Sequence, residues 1–243
     1  MDRLGYTAMT AAYRTQAALD VRANNLANVS TPGFRADLER AEAVEVPGTG
    51  YASRHLARLQ PSGLDLNPGP LMATGRDLDL AIRGPGLIAV QLEDGREAYT
   101  RQGSLAVDAE GRLSLGGRPV LGDGGPLQLP PYDRLSIGSD GTVSIQPRGD
   151  YLMAEVGRIK RVDIPAAGLR KDATGLLVTV DGTPAADSET VQLAAGYLEG
   201  SNVSAIEQLT GTLGLSRLFE IQVKLLKAAD DLAANGNRMI RGA

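Results

Sequence analysis

Two proline-free segments stand at the two ends of this chain, and each carries an apolar stripe at helical spacing. Residues 3–29 contain a single glycine, Gly5, near their start. Met1, Gly5, Ala8, Ala12, Thr15, Leu19, Leu26 and Val29 fall on one side of a helix, with Arg22 interrupting the set. Residues 201–240 also lack proline, and Leu218, Ile221, Leu225, Ala228, Leu232, Asn235 and Met239 alternate steps of 3 and 4, a heptad seam. Upstream, Ile206, Leu209 and Leu213 follow another phase. Gly211 and Gly214 lie where the phases meet and predict a kink or register slip. Ser201-Asn202 is the expected cap of this helix, with Glu207 a favourable charge at its positive end. A helix with so narrow a face of small residues is marginal alone in water, because nucleation is costly and little area is buried. The economical arrangement packs the two helices on each other and then on the same helices of neighbouring chains.

Composition removes much of ordinary enzyme chemistry. The 243 residues include no cysteine, which excludes disulfides, thiolate metal sites and a cysteine nucleophile, and one histidine, which excludes a multi-histidine metal site. A net charge of −4 offers no basic excess for phosphates, so nucleic acid is not the expected partner. Only two Phe and seven Tyr are present, so the core must rest on Leu, Val, Ile and Ala. No apolar run reaches the length of a membrane span, and residues 1–20 carry charges at Asp2, Arg3, Arg14 and Asp20 in place of a signal-peptide core. The expectation is a chain that is cytoplasmic or exported without a cleaved signal.

Between the helical ends lies β material. Residues 78–180 alternate short apolar runs with turn signals: Leu87–Leu92 before Asp94-Gly95, Ser104–Val107 before Glu110-Gly111, Arg112–Leu115 before Gly116-Gly117, and Leu176–Val180 before Asp181-Gly182. Leu135–Ile137 and Thr142–Ile145 flank Asp140-Gly141. Spacing of this kind predicts an all-β barrel or sandwich. Residues 36–77, rich in Pro and Gly, read as an extended connector with a short helix over Arg35–Val46. The fold class is α+β. Terminal helical segments 1–35 and 200–243 form a coiled-coil-like pair, 36–77 and 185–199 form the connector, and 78–184 form the central β domain.

Four stretches then carry a family resemblance. Ala23–Arg35 reads ANNLANVSTPGFR, Glu97–Leu105 reads EAYTRQGSL with Asp108–Leu113 as DAEGRL, Leu198–Val203 reads LEGSNV, and Arg217–Lys227 reads RLFEIQVKLLK. Together, and in this order, they resemble the rod, hook and hook–filament-junction proteins of the bacterial flagellar axial structure. Length and the opening residues Met1–Leu4 and Tyr6–Met9 point to the mid-sized rod proteins, the proximal one before the distal one. The resemblance implies a structural subunit, exported through the flagellar type III apparatus and assembled in the periplasm with copies of itself and other rod proteins. Its terminal helices form an inner tube that transmits torque from motor to hook, and its β domain forms an outer layer. The motif residues are then Asn24, Asn25, Leu26, Ala27, Asn28, Thr31, Pro32, Gly33 and Phe34, with Glu199, Gly200, Ser201 and Asn202. The assembly surface falls on Leu4, Ala8, Ala12, Leu19 and Leu26 of the first helix and on Val203, Ile206, Leu218, Ile221, Leu225 and Leu232 of the second. Asn is a poor interior helix residue but serves ends and turns, Pro32-Gly33 forces a turn, and Phe34 is the expected anchor of the connector against the helix pair.

Other readings are weaker. His55, beside Arg54 and Arg58, is a loop histidine before it is a pH sensor. Asp77 with Asp79, and Asp230 with Asp231, offer carboxylate pairs of the kind a cell-wall hydrolase uses, but a turn and a helix face account for them. Asp108–Gly111 and Asp140-Gly141 lack the twelve-residue calcium pattern, and Gly84–Gly86 and Gly122–Gly125 lack a phosphate-loop lysine. No catalytic residue, metal or cofactor is expected. Hydrogen exchange on the dilute monomer checks the helix reading: protection confined to about residues 78–184 is expected, and strong protection of both helical ends in a proven monomer would remove its physical basis.

Overall fold

The computed structural model describes residues 2–39, 41–45, 55–59 and 63–242. Contacts gather them into two units. Unit 1 comprises Met1–Ala27, Asp37–Gly63 and Ser204–Ala243; unit 2 comprises Asn28–Ala36 and Leu64–Val203. A helix at each end of the chain and a β-rich middle make the fold α+β.

In unit 1 the first helix, α1, spans Asp2–Ala27 and the second, α2, spans Ala205–Arg241. Arg22, near the end of α1, lies over Gly211, near the start of α2, where an added Cβ would stand 2.3 Å from the guanidinium. Only an antiparallel arrangement leaves the rest of α1 alongside α2, and the two helices pack along each other. Glycine at 211 lets the long arginine cross the helix surface. Helix α2 runs continuously through Gly211 and Gly214, where the sequence predicts a kink or register slip. The cap expected at Ser201-Asn202 sits instead at Ser204, whose hydroxyl accepts the Glu207 N–H. Asn202 is unavailable as a cap because its amide is spent on Asp65 O, Asn67 O and the Ala36 N–H.

The short helix expected over Arg35–Val46 is not formed: Asp37–Leu38 and Ala41–Glu45 are strands, the latter paired antiparallel with His55–Leu59. Asn25 supplies a reason. Its side-chain oxygen accepts the Asp37 N–H and its amide donates to Asp37 O, both at 2.9 Å, so it holds the Asp37 backbone as a neighbouring strand would. The His55 side chain, Arg54, and the side chains of Met1 through Thr7 lie outside the described residues.

Unit 2 is built on a five-stranded antiparallel sheet in the order 161–162, 87–91, 97–100, 177–179, 169–171. Both of its faces are buried. Ile88, Val90, Ala98 and Val178 point into one apolar cluster with Leu105, Leu113, Val143 and Ile145; Leu87, Ala89, Tyr99 and Leu177 point into a second with Leu121, Val162 and Leu169. The period of two splits adjacent apolar residues between the faces, which explains the continuous Leu-Ile-Ala-Val run. Strands 132–137, 142–147 and 154–158 form a meander whose inward residues join the first cluster. Residues 80–83 pair with 192–195, and 71–73 with 197–199, so segments assigned to the connector from sequence carry paired strands of this unit.

Tyr99 is the fully buried aromatic of this core. Its phenol donates to Glu97 Oε2 at 2.9 Å and accepts the Ala185 N–H at 2.8 Å, while Lys160 pairs with Glu97. Burial pushes the Tyr99 phenol up to about 12. In the unfolded chain it ionises near pH ~10. Its contribution to stability is therefore complete below pH ~10 and is lost as pH rises through about 12. An alkaline absorbance titration should show one phenol lagging the others. Tyr99→Phe should cost about 1–3 kcal/mol in urea denaturation, because the Ala185 N–H loses its acceptor; wild-type stability in the variant would contradict this.

Candidate functional site

Among the described side chains of α1, the buried ones are Ala12, Thr15, Ala18 and Asn25; among those of α2 they are Gln208 and Gln222. On α2 the half-buried Leu215, Phe219 and Leu226 share the helical face of Gln208 and Gln222. Ala8, Leu19 and Leu26 are half-buried. Ile206, Leu218, Ile221, Leu225 and Leu232 stand in solvent, Leu225 at 57% and Leu232 at 62% exposure, together with Leu209, Leu213 and Met239. The heptad seam read from the sequence therefore lies on the outside of the hairpin. The Leu4 side chain lies outside the described residues. Val203 is buried, but in unit 2, and is not brought together with the other stripe residues.

The sequence motifs meet in unit 2. After α1 the Asn28 backbone and side-chain oxygens accept the N–H and hydroxyl of Thr31, closing the turn that Pro32-Gly33 completes. Gly33 adopts φ +71°, and a Cβ there would stand 2.3 Å from the Arg101 and Gln102 backbone, so only glycine fits. Its N–H donates to Glu199 O at 2.8 Å. Phe34 is held by Lys171, whose ammonium sits 4.2 Å from the ring centroid and donates to Arg35 O. Its anchor is thus a strand of the β unit. Gly200 N–H donates to Pro70 O, and Ser201 Oγ accepts the Val203 N–H.

Beneath this turn lies a buried ion cluster. The Glu199 carboxylate receives Arg35 Nη2 on Oε1 and Arg101 Nη1 on Oε2 at 3.0 Å, and Oε1 also accepts the Gly69 N–H at 2.9 Å. Arg101 also donates from Nε to Gly86 O and from Nη2 to Gly84 O. All three side chains are at most 3% exposed. Two cations share one anion. Burial, with a further push from Arg101, pulls the Arg35 guanidinium below its ordinary value although Glu199 opposes the shift. Glu199 belonged to the motif read from sequence. Arg35 and Arg101 carried no assigned role, although each ends or lies inside a motif stretch; a charged residue in three separate motifs was the available signal.

The remaining acidic residues serve local structure. Asp94 and Asp108 accept backbone N–H groups two or more residues ahead, and Asp140 and Asp181 accept the Thr142 and Thr183 hydroxyls and then their backbone N–H groups, which holds all four carboxyls below the usual range. Asp79 pairs with Arg76, and Asp230 and Asp231 are exposed on α2. No group of three or more His, Cys, Asp or Glu able to hold a metal occurs among the described residues. Also among them, no helix is long and apolar enough to cross a membrane. The cluster yields a sharp expectation. Glu199→Gln leaves two buried cations facing each other and should lower the stability of unit 2 by about 3–5 kcal/mol in equilibrium denaturation; a loss under about 1 kcal/mol would mean that the cluster does not hold the turn.

Three family models match the chain in order: flagella basal body rod protein over residues 6–35, the flagellar hook protein FlgE/F/G D1 domain over 81–145, and the flagellar basal body rod FlgEFG protein C-terminal region over 194–239. The chain is 38% identical over 248 residues to the flagellar basal-body rod protein FlgF of Escherichia coli strain K12, covering 99% of both chains. It is 30% identical to FlgF of Caulobacter vibrioides, covering 96% of both, and 29% identical to the rod protein FlgG of Bacillus subtilis, covering 93% and 95%. With matched segments that run from the first helix to the last and include all three residues of the ion cluster, the chain belongs to the flagellar basal-body rod protein family.

Proposed function

We propose that this chain is a structural subunit of the proximal part of the flagellar rod, built into the drive shaft by its terminal helices. The observation that carries the reading is the solvent-facing leucine stripe of α2. The helix pair buries Ala12, Thr15, Ala18, Gln208 and Gln222 and leaves Leu218, Ile221, Leu225 and Leu232 exposed. Burying apolar surface contributes about 25 cal/mol per Å², so these side chains lose most of their possible contribution in an isolated chain. Neighbouring helices recover it. In this reading the pair is coiled-coil-like, and the half-buried Leu19 and Leu26 with the small residue Ala8 let further helices approach closely. In the assembled shaft the barrel- or sandwich-like β unit forms the outer layer. The partners are other rod subunits and copies of the chain, reached in the periplasm after export through the type III apparatus without a cleaved signal.

Full-length identity to FlgF favours the proximal position over the distal one. A cell-wall enzyme is a poorer reading, since the carboxylates are occupied in turns, ion pairs and a helix face. Leu225→Asp is the direct test. It should abolish rod assembly and swimming while shifting the denaturation of the β unit by no more than about 0.5 kcal/mol, the usual effect of an exposed substitution. Normal motility with an intact Leu225→Asp protein would overturn the seam.

A further inference from the structure

Unit 2 leaves one run of three consecutive large apolar side chains in solvent. Tyr151, Leu152 and Met153, 95%, 75% and 49% exposed, follow the turn between strands 142–147 and 154–158. The turn is well formed. Asp150 N–H donates to Pro147 O, Leu152 N–H to Asp150 Oδ1, and the Gln146 amide to Asp150 O. The fold therefore holds a shaped apolar knob away from its own core, at a cost in hydration that an isolated monomer does not recover.

The same unit has a cleft of about 560 Å³ lined by Pro68, Leu71, Ile82, Arg83, Ala194 and Tyr197 with two glycines. Ile82 is buried in its floor, while Leu71 and Tyr197 stand partly exposed. Arg83 is the one charged residue of the lining. It is exposed and makes no ion pair among the described residues. The knob bears the opposite charge. Asp150 and Glu155 flank it without an ion pair among the described residues, whereas Arg148 faces Asp133 at 3.9 Å.

We propose that the Tyr151–Met153 knob of one copy seats in the Leu71–Ile82–Tyr197 cleft of a second copy, with Arg83 meeting the acidic flank. Knob and cleft are different patches of one surface, so the contact is head-to-tail and adds copies in an open series. Such growth suits a helical shaft, and the inference rests on the rod-subunit reading. The knob lies in residues 146–193, between two segments that the family models match.

The absence of cysteine makes introduced thiols unambiguous. A Leu152→Cys chain and a Leu71→Cys chain, with different tags, are co-expressed in swimming cells, and isolated basal bodies are mildly oxidised. A disulfide dimer carrying both tags is expected, with no dimer from either variant alone and none when Leu71→Cys is replaced by Val180→Cys, an exposed site outside the cleft. Rods that form without the mixed dimer, dimers of Leu152→Cys with itself, or equal yield at position 180 would overturn the contact while leaving the rod reading intact. Cells in which the unsubstituted chain is absent from isolated rods would overturn the rod reading, and the contact with it.

Discussion

The carboxylate of Glu199, shared between Arg35 and Arg101, is the interaction on which unit 2 depends where the chain passes to and from its helices. Arg35 comes from the segment after α1, Glu199 from the segment before α2, and Arg101 from the loop that follows strand 97–100. One buried anion thus ties three parts of the chain that are far apart in sequence. Such a cluster is a poor source of net stability, because desolvating charges offsets much of their attraction. It is a strong source of specificity: no apolar contact would discriminate so sharply against a slipped arrangement, since any slip strands a charge in the core. The Gly33 turn and the Gly69 N–H are fitted around it, the first by a backbone approach that admits no side chain and the second by a direct hydrogen bond to the carboxylate.

The helix pair follows the opposite logic. Amphipathic helices in a soluble domain ordinarily bury their leucines and expose their polar residues. Here the fully buried positions are alanine, threonine, asparagine and glutamine, while Leu218, Ile221, Leu225 and Leu232 face water. Small inward residues allow close approach at little hydrophobic gain, and Arg22 crossing Gly211 belongs to the same economy. In the proposed rod-subunit role, assembly gains from an internal contact that is weak and an external one that is strong. That gain accords with the rod-subunit role proposed for a member of the flagellar rod family.

Much of this was legible from residues alone, and the failures are instructive. The Asp-Gly and Gly-Gly turns located most of the strands of the central sheet and meander, because turn chemistry is local. The two terminal helices followed from periodicity. The helix expected over Arg35–Val46 failed because Asn25, twelve residues before Asp37, reaches the Asp37 backbone and holds it extended. The cap moved from Ser201-Asn202 to Ser204 because Asn202 is engaged by Ala36, Asp65 and Asn67, more than a hundred residues away in sequence. The pairing of residues 71–73 with 197–199 likewise depends on distant partners that no window reveals.

By itself, then, the sequence determined the helix–β–helix order, the exclusion of cysteine and multi-histidine chemistry, and the presence of two apolar stripes, all properties of composition and short-range spacing. The tertiary structure decided which side of each stripe is used inside the molecule, and which charged residues of the motifs meet. The physical reason is that periodicity fixes that a face exists but carries no information on what covers it. A buried ion pair likewise becomes visible only when chain folding brings Arg35 and Arg101 to Glu199 and removes water from all three.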